Sequence, residues 1–233
     1  MRSINPNIRV DPDLEDEKGF TTDLGLRGNI KHILNYDASI FLLNYNNRIG
    51  TVLRYDSTLF NVYRFRTNIS QSLNYGFESF AELDIWRLIK RDKAKAQISI
   101  FSNCSLIDAR YVNSKESAYE NKKVELVPNI LLKTGLTVKK GKFSGTWQYS
   151  FVSSQYTDAT NTIQSANAIN GLIPAYYVMD LSLSYKYKYL TFYGTVNNLT
   201  NNMYFTRRSE AYPGPGIVPS DGIGVYLTVQ VKI

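Results

Sequence analysis

Apolar and polar residues alternate along almost the whole chain. The last segment, VYLTVQVKI from Val225 to Ile233, is the most regular, with an aliphatic side chain at every odd position. Because successive side chains of a strand point to opposite faces, this segment has one apolar and one polar face. A soluble sandwich would bury the apolar face against a second sheet, whereas an outer-membrane barrel would turn it toward lipid. The pattern of the remaining segments is needed to distinguish these two environments.

The same alternation divides the chain into about nine segments. They are Phe20 to Arg27, about Tyr36 to Ile49, VYRFRTN continued by NYGFESFAELDI, AQISIFSNCSLIDARYV, NILLKTGLTV, FSGTWQYSFVSSQY, YVMDLSLSYKY, LTFYGTVNN and VYLTVQVKI. In the third segment, the pattern places Leu83 and Ile85 on the apolar face. No stretch of useful length shows an apolar stripe at helical spacing. The sequence therefore predicts an all-β fold, an antiparallel meander of about nine long strands.

The connections between these segments alternate between short and long. The short ones are GNIKH, RLIKRDK, KKGK and YKYK, and the long ones are TVLRYDSTLFN, NSKESAYENKKVEL, TDATNTIQSANAINGLIPA and LTNNMYFTRRSEAYPGPGIVPSDGIG. Short turns on one side and long loops on the other are typical of an outer-membrane barrel. Segments of ten or more residues match the roughly 9 to 11 that a tilted strand needs to cross a bilayer. Tyr75, Phe143, Tyr185 and Tyr187, near strand ends, suit the aromatic girdles of such a barrel.

The amino-acid composition excludes most kinds of catalytic and metal-binding site. Cys104 is the only cysteine and His32 the only histidine, which excludes a disulfide framework, a Cys/His zinc cage and most nucleophile–histidine arrangements. We therefore expect no enzyme, no cofactor and no metal site. The net charge of +7 is spread over turns and loops without a run of interleaved basic and aromatic residues, so no nucleic acid is expected as a partner.

Four stretches resemble a known family. INPNIRVDPDLEDEKGFTTDLGLRGN, YRFRTNISQSLNYGFESFAELDI, VNNLTNNMYFTRR and AYPGPGIVPSDG are similar to the C-terminal part of the β-barrel of TonB-dependent outer-membrane receptors, particularly the ferric dicitrate-type iron transporters. The resemblance implies a barrel of about 22 strands in the outer membrane of a Gram-negative bacterium, filled by an N-terminal plug. It also implies uptake of a ferric chelate, energised by the TonB complex through that plug.

The resemblance covers essentially residues 1–233, but these supply only about nine strands. The start of the chain shows no signal peptide, plug or partner-binding box, so the sequence predicts a fragment of such a receptor. Its outward residues are expected to contact outer-membrane lipid. We expect an open antiparallel sheet whose first and last strands have unpaired edges. A closed sandwich that buries Leu181 and Val229 between two sheets would contradict the barrel.

Arginines in the loops are the candidate ligand residues, since the planar guanidinium matches carboxylates two bonds at a time. Arg207 and Arg208 lie in the last long loop, and Arg64 and Arg66 lie at the lip of the third strand. The alternative for each is a lumen or loop charge with acidic neighbours. Two other functions stay open, a free-standing small porin-like or structural barrel and a soluble all-β enzyme or binding module.

Overall fold

One large sheet forms most of the protein. The computed structural model describes residues 8–90, 95–164, 170–208 and 216–232. The elements are β1 Ile8–Val10, β2 Lys18–Ile30, β3 Leu34–Asp56, β4 Asn61–Asp84, α1 Ile85–Lys90, β5 Ala96–Val112, β6 Ile130–Lys140, β7 Phe143–Val152, β8 Gln155–Tyr156, β9 Leu172–Ile173, β10 Tyr176–Tyr187, β11 Leu190–Asn197, β12 Phe205–Arg208, β13 Ile217–Pro219 and β14 Gly224–Val231.

The sheet is an antiparallel meander, as the sequence predicts. Its order is β14-β11-β10-β7-β6-β5-β4-β3-β2, and β1 adds a short parallel pairing to β4. Among the described strands, β2 and β14 each have a single neighbour, so these strands do not close into a small barrel. The unpaired edges agree with the expected open sheet and disfavour the free-standing small barrel.

Register places apolar residues of all nine meander strands in one continuous row. Because directly paired residues point to the same face, this row lies wholly on one face of the sheet, which we call the outer face. The row consists of Ile30, Leu34, Leu83, Ile100, Leu136, Trp147, Leu181, Val196 and Val225. Cys104 belongs to the same face, paired with Ser79 and Leu132.

The opposite face, which we call the inner face, is polar. One position along from the apolar row, paired residues run through Asp84, Ser99, Thr137, Thr146, Ser182, Thr195 and Tyr226. The hydroxyls of Thr137 and Thr146 lie 3.2 Å apart and share a hydrogen bond. A polar face along every strand is what a wet lumen permits.

Large apolar side chains on the outer face remain uncovered. Leu24 is 73% exposed, Leu227 83% and Val229 58%, so the sandwich that would have buried Val229 is not formed by the described residues. The buried core lies instead beneath loops at one end of the sheet. Its members are Val52, Ile69, Ala109, Tyr111, Tyr119 and Val124. A soluble protein would be expected to cover an apolar face of this extent, whereas lipid needs no cover.

The prediction of a long loop over TVLRYDSTLFN is wrong. Its residues instead extend β3 to Asp56 and start β4 at Asn61, and a four-residue turn, 57–60, joins the two strands. The alternation breaks because the register shifts between Tyr45 and Ile49, where Asn47 takes a positive φ of 55°. A bulge of this kind interrupts the period-2 pattern without ending the strand.

Two smaller predictions also need correction. Ile85 does not continue the strand but begins the six-residue helix α1, within the connection predicted as a plain turn. A helix this short cannot show a periodic apolar stripe. The last loop is not structureless, because β12 and β13 pair within it, and Tyr156 lies in the separate strand β8.

Candidate functional site

The two ends of the sheet differ in their connections. The short-turn end carries α1 and the turns at 31–33, 141–142 and 188–189, and the long-loop end carries the β3–β4 hairpin and the loops that contain 113–129, 153–175 and 198–223. Ligand-binding residues usually lie on loops held by a rigid scaffold. The depressions at the long-loop end are therefore the candidate ligand sites.

The first depression lies beside the β3–β4 hairpin, and we call it the hairpin cleft. Its walls include Arg64, Ile69, Tyr119, Glu125 and Asp158, which come from the hairpin and from two loops. Arg64 therefore lines a cleft, as its candidate role requires, but two carboxylates share that cleft. Such acidic neighbours also agree with the alternative of a loop charge.

The hairpin is held by contacts to β1. Arg9 donates to the carboxylate of Asp56 at 2.8 Å, and its guanidinium stacks 4.1 Å from the centre of the Tyr63 ring. The backbone N–H groups of Leu59 and Thr58 also donate to Asp56. These hydrogen bonds lower the pKa of Asp56 from its ordinary value. The bond from the Leu59 N–H has the largest effect, and the bonds from Arg9 and Thr58 come next. The hairpin tip thus has a fixed shape through a charged, hydrogen-bonded turn.

The loops beneath the hairpin are joined to each other by Asn161. Its side chain accepts from the Lys123 N–H at 2.7 Å and donates to the Lys123 carbonyl at 2.8 Å. The carboxylate of Asp158 accepts from the backbone N–H of Thr162. Burial is the largest cause of the raised pKa of Tyr119. Asp158 and Asn161 therefore stabilise the conformation of these two loops.

A second depression lies between the inner face and the β12–β13 hairpin, and we call it the terminal depression. It is lined by Asp180, Tyr204, Arg207, Asp221 and Tyr226, among others. Arg207 is exposed on its edge. The described residues of its lining therefore offer one cation, two carboxylates and two phenol groups, a mixed rather than a basic surface.

Arg208 has a different environment. It donates to the Leu172 carbonyl at 3.2 Å and lies 5.2 Å from the centre of the Phe205 ring. The first contact joins β12 to β9, so Arg208 connects two loops, and the second lies within β12. Arg66 pairs with Thr51 in β3 and is exposed, and it lines neither depression. The structure thus does not gather the four candidate arginines around one point.

Asn198 is a residue whose role the sequence did not reveal. It is buried, its N–H donates to Asp180 at 2.9 Å, and its side-chain amide donates to the carbonyls of Asn202 and Asp221. Its side-chain oxygen accepts from the Asn202 N–H. Both Asn198 and Asn201 have positive φ values near 50°. The asparagine-rich string VNNLTNN was the available signal, since asparagine tolerates this conformation and bonds to nearby backbone.

The described residues offer neither a metal site nor a membrane-spanning helix. No group of three or more His, Cys, Asp or Glu side chains could hold a metal ion there. Within the same residues, none of the helices has the length and apolar character that crossing a membrane requires.

The uncovered outer face, the polar inner face and the one-sided loops together are typical of an outer-membrane β-barrel. The chain belongs to the family described as "TonB dependent receptor-like, beta-barrel", whose model matches residues 2–199. The family is one of receptors and transporters of the Gram-negative outer membrane and not of enzymes.

Solved structures share the fold. The ferric citrate transporter FecA in its unliganded form is 23% identical, with a TM-score of 0.73 over 91% of this chain. The copper transporter OprC is 15% identical, with a TM-score of 0.71 over 94% of this chain. The ferric yersiniabactin uptake receptor FyuA from Yersinia pestis is 16% identical, with a TM-score of 0.67 over 92%. This chain spans only 30%, 33% and 30% of those three proteins, respectively.

Proposed function

We propose that the chain forms the C-terminal part of the barrel of a receptor that takes up a ferric chelate with energy supplied through TonB. Family membership is the observation that carries the proposal, and the structure adds two loop depressions at one end of a lipid-facing sheet. The ligand would be a carboxylate-bearing ferric chelate, with ferric citrate as the specific case. Its negative charge would be met by arginine.

The ferric citrate assignment rests on two supports. The sequence stretches resemble the dicitrate-type transporters, and one solved structure of the same fold is a ferric citrate transporter. Other proteins of this fold have different named cargoes, copper for OprC and ferric yersiniabactin for FyuA. The fold is therefore compatible with several ligands, and the loop residues have to select among them.

Arg64 and Arg207 are the stronger candidates for ligand contact, because each lines a depression at the long-loop end. Arg208 would act indirectly, by holding β12 in place beside β9. Arg66 remains a candidate only if the ligand reaches the exposed side of the hairpin. Carboxylates line both depressions, Glu125 and Asp158 in one and Asp180 and Asp221 in the other, so neither arginine lies in a purely basic site.

Uptake of radioactive iron tests the proposal. Arg64→Gln and Arg207→Gln would be placed in the gene at its own chromosomal locus, in cells with no other ferric citrate receptor. Each variant should reduce uptake of ferric citrate by about 10-fold or more, as expected for a lost charged hydrogen bond of roughly 1.5–3 kcal/mol. Arg27→Gln is the matched control, because Arg27 pairs with Asp37 at 3.3 Å on the inner face, away from both depressions.

The choice of chelate separates the outcomes. Loss of ferric citrate uptake with unchanged uptake of a neutral ferric siderophore would support the dicitrate assignment. Equal loss for all chelates would contradict that assignment while leaving the receptor function in place. Unchanged uptake of every chelate after deletion of the gene would contradict the proposed function itself.

A further inference from the structure

Five lysines surround one depression at the short-turn end of the sheet. Its lining includes Lys139, Lys142, Lys186, Lys188 and Lys232, which we call the lysine cluster, and no Asp or Glu is among the described residues that line it. The depression encloses about 800 Å³. So much charge of one sign in one hollow is unusual in a sheet whose other inner-face charges include both signs.

Register places two members of the cluster, Lys139 and Lys186, on the inner face. Lys139 pairs with Ser144, which pairs with Ser184 of β10, and Lys186 pairs with Thr191. Each of these residues belongs to the polar rows and not to the outer face. Lys142 and Lys188 occupy the two-residue turns that end the neighbouring hairpins.

Backbone hydrogen bonds hold the hairpin ends together. The Lys186 N–H donates to the Lys142 carbonyl, and the Lys232 N–H donates to the Tyr189 carbonyl, both at 2.9 Å. The wall between the lysines carries hydroxyl and amide groups, and the Tyr193 hydroxyl donates to Gln230 at 3.1 Å. The lysines therefore project from a fixed frame lined by hydrogen-bonding groups.

No carboxylate within the described part of the chain neutralises these lysines. The ion pairs found there involve only arginines, such as Arg27 with Asp37 and Arg110 with Asp108. Lys188 instead lies 5.6 Å from the centre of the Tyr187 ring. Like charges at close range repel one another, and a partner that carries negative charge relieves the repulsion.

We propose that the lysine cluster binds an acidic polypeptide segment that enters the barrel at the short-turn end. Several carboxylates spaced along one chain can meet several lysines at once, and the wall hydroxyls and amides can bond to its backbone. A membrane phosphate is the less suitable partner, because Lys139 and Lys186 lie on the face that is turned away from lipid. Lys140, in contrast, pairs with Phe143 on the outer face, where it can reach the headgroups. The inference does not depend on which chelate the loops bind.

Zero-length cross-linking tests this proposal. Outer membranes from cells that carry the gene at its own locus would be treated with a carbodiimide, which joins a lysine amine to a carboxylate in direct contact. Mass spectrometry of chymotryptic peptides would locate the joined residues. We expect cross-links from Lys139 and Lys186 to an Asp- or Glu-rich peptide from outside residues 8–232, several-fold more abundant than cross-links from Lys140.

The effect of salt and the effect of lysine substitutions test whether the cross-links depend on the charge of the cluster. Raising NaCl to about 0.5 M before treatment should reduce these cross-links several-fold, since salt screens exposed charges. Lys139→Gln with Lys186→Gln should remove them while leaving the amount of barrel in the membrane unchanged, because both positions face the wet side. Lys140→Gln is the matched control. Three outcomes would overturn the proposal: equal labelling of Lys140 and the cluster, links only to carboxylates of residues 8–232, or phosphoramidate adducts of lipid in place of peptide links.

Discussion

The two faces of the sheet are made by the same strands, yet they carry different chemistry. On the outer face, the paired row from Ile30 to Val225 is apolar in every strand, and many of the large side chains there remain exposed. On the inner face, the adjacent row is built mainly from Ser and Thr, and its hydroxyls bond across strands. The difference shows that lipid, and not a second sheet, is the solvent of the outer face.

A charge introduced on each face should give the largest contrast. Leu181 lies midway along β10 on the outer face, and Ser182 follows it on the inner face. Leu181→Arg should cost about 2–4 kcal/mol, the range for Arg on the lipid face near the bilayer midplane, and should lower the amount of folded barrel in outer membranes. Ser182→Arg should have little effect. Heat-modifiable electrophoretic mobility measures the folded fraction, and equal losses for the two variants would contradict the assignment of the faces.

Two strand glycines provide a second contrast between the faces. A Cβ added to Gly135 on the inner face would lie 2.3 Å from the Trp147 carbonyl and 2.6 Å from the Phe101 ring. A Cβ added to Gly194 on the outer face would meet only Leu227, at an ordinary 3.6 Å. Gly135→Ala should therefore destabilise the barrel by about 1–3 kcal/mol through overpacking, and Gly194→Ala by less than about 0.5 kcal/mol. Urea unfolding of the reconstituted protein measures both, and the reverse order would show that the packing around Phe101 is misplaced.

Much of this comparison could be predicted from the sequence, because alternation reports directly on strand faces. The fourth predicted segment matches β5 residue for residue, Ala96–Val112. Prediction failed where the pattern is interrupted, at the bulge beside Asn47 that hides the continuation of β3. It failed also where pairing is distant in sequence, as in the parallel contact between Ile8 and Arg64. Local patterns do not encode such contacts.

The candidate site was less predictable than the fold. Arginine was a sound choice of residue type for an anionic chelate, but the loop sequence does not show which guanidinium faces a depression. The structure distinguishes Arg207, on the edge of a depression, from its neighbour Arg208, which bonds to the Leu172 carbonyl. The lysine cluster depends on the pairing of two hairpins, β6–β7 and β10–β11, with each other and with β14, so it could not be predicted from the spacing of lysines along the chain.

Loss of the Asn198 side chain should affect the loops without affecting the sheet. Asn198→Ala removes its side-chain bonds to Asn202 and Asp221 at a buried position, at an expected cost of about 1–3 kcal/mol to the local structure. Limited proteolysis of outer membranes should then cleave the loop at 198–208 faster than in the parent protein. Thr200→Ala, at an exposed position, is the control and should leave the cleavage rate unchanged. Faster cleavage in both variants would contradict the role assigned to the Asn198 side chain.

The hairpin tip should show a small effect that depends on pH. Because the folded-state pKa of Asp56 is lowered, its carboxylate stabilises the tip above the unfolded-state pKa, and this contribution is lost as pH falls through the lowered pKa. Asp56→Asn should therefore speed hydrogen exchange of the Thr58 and Leu59 amides at neutral pH. The ratio of rates between variant and parent should approach one in acid. A ratio that stays constant with pH would contradict the role of the charge.

Spin labels along β10 would show directly which face of the sheet contacts lipid. Nitroxide spin labels would be attached to single cysteines at each position from Val178 to Tyr185, with Cys104 replaced by Ser, in protein reconstituted into phospholipid vesicles. Labels at 179, 181, 183 and 185 should collide mainly with oxygen dissolved in the lipid, and labels at 178, 180, 182 and 184 mainly with a water-soluble nickel complex. Uniform accessibility along the strand, or the opposite alternation, would contradict a lipid-facing outer surface.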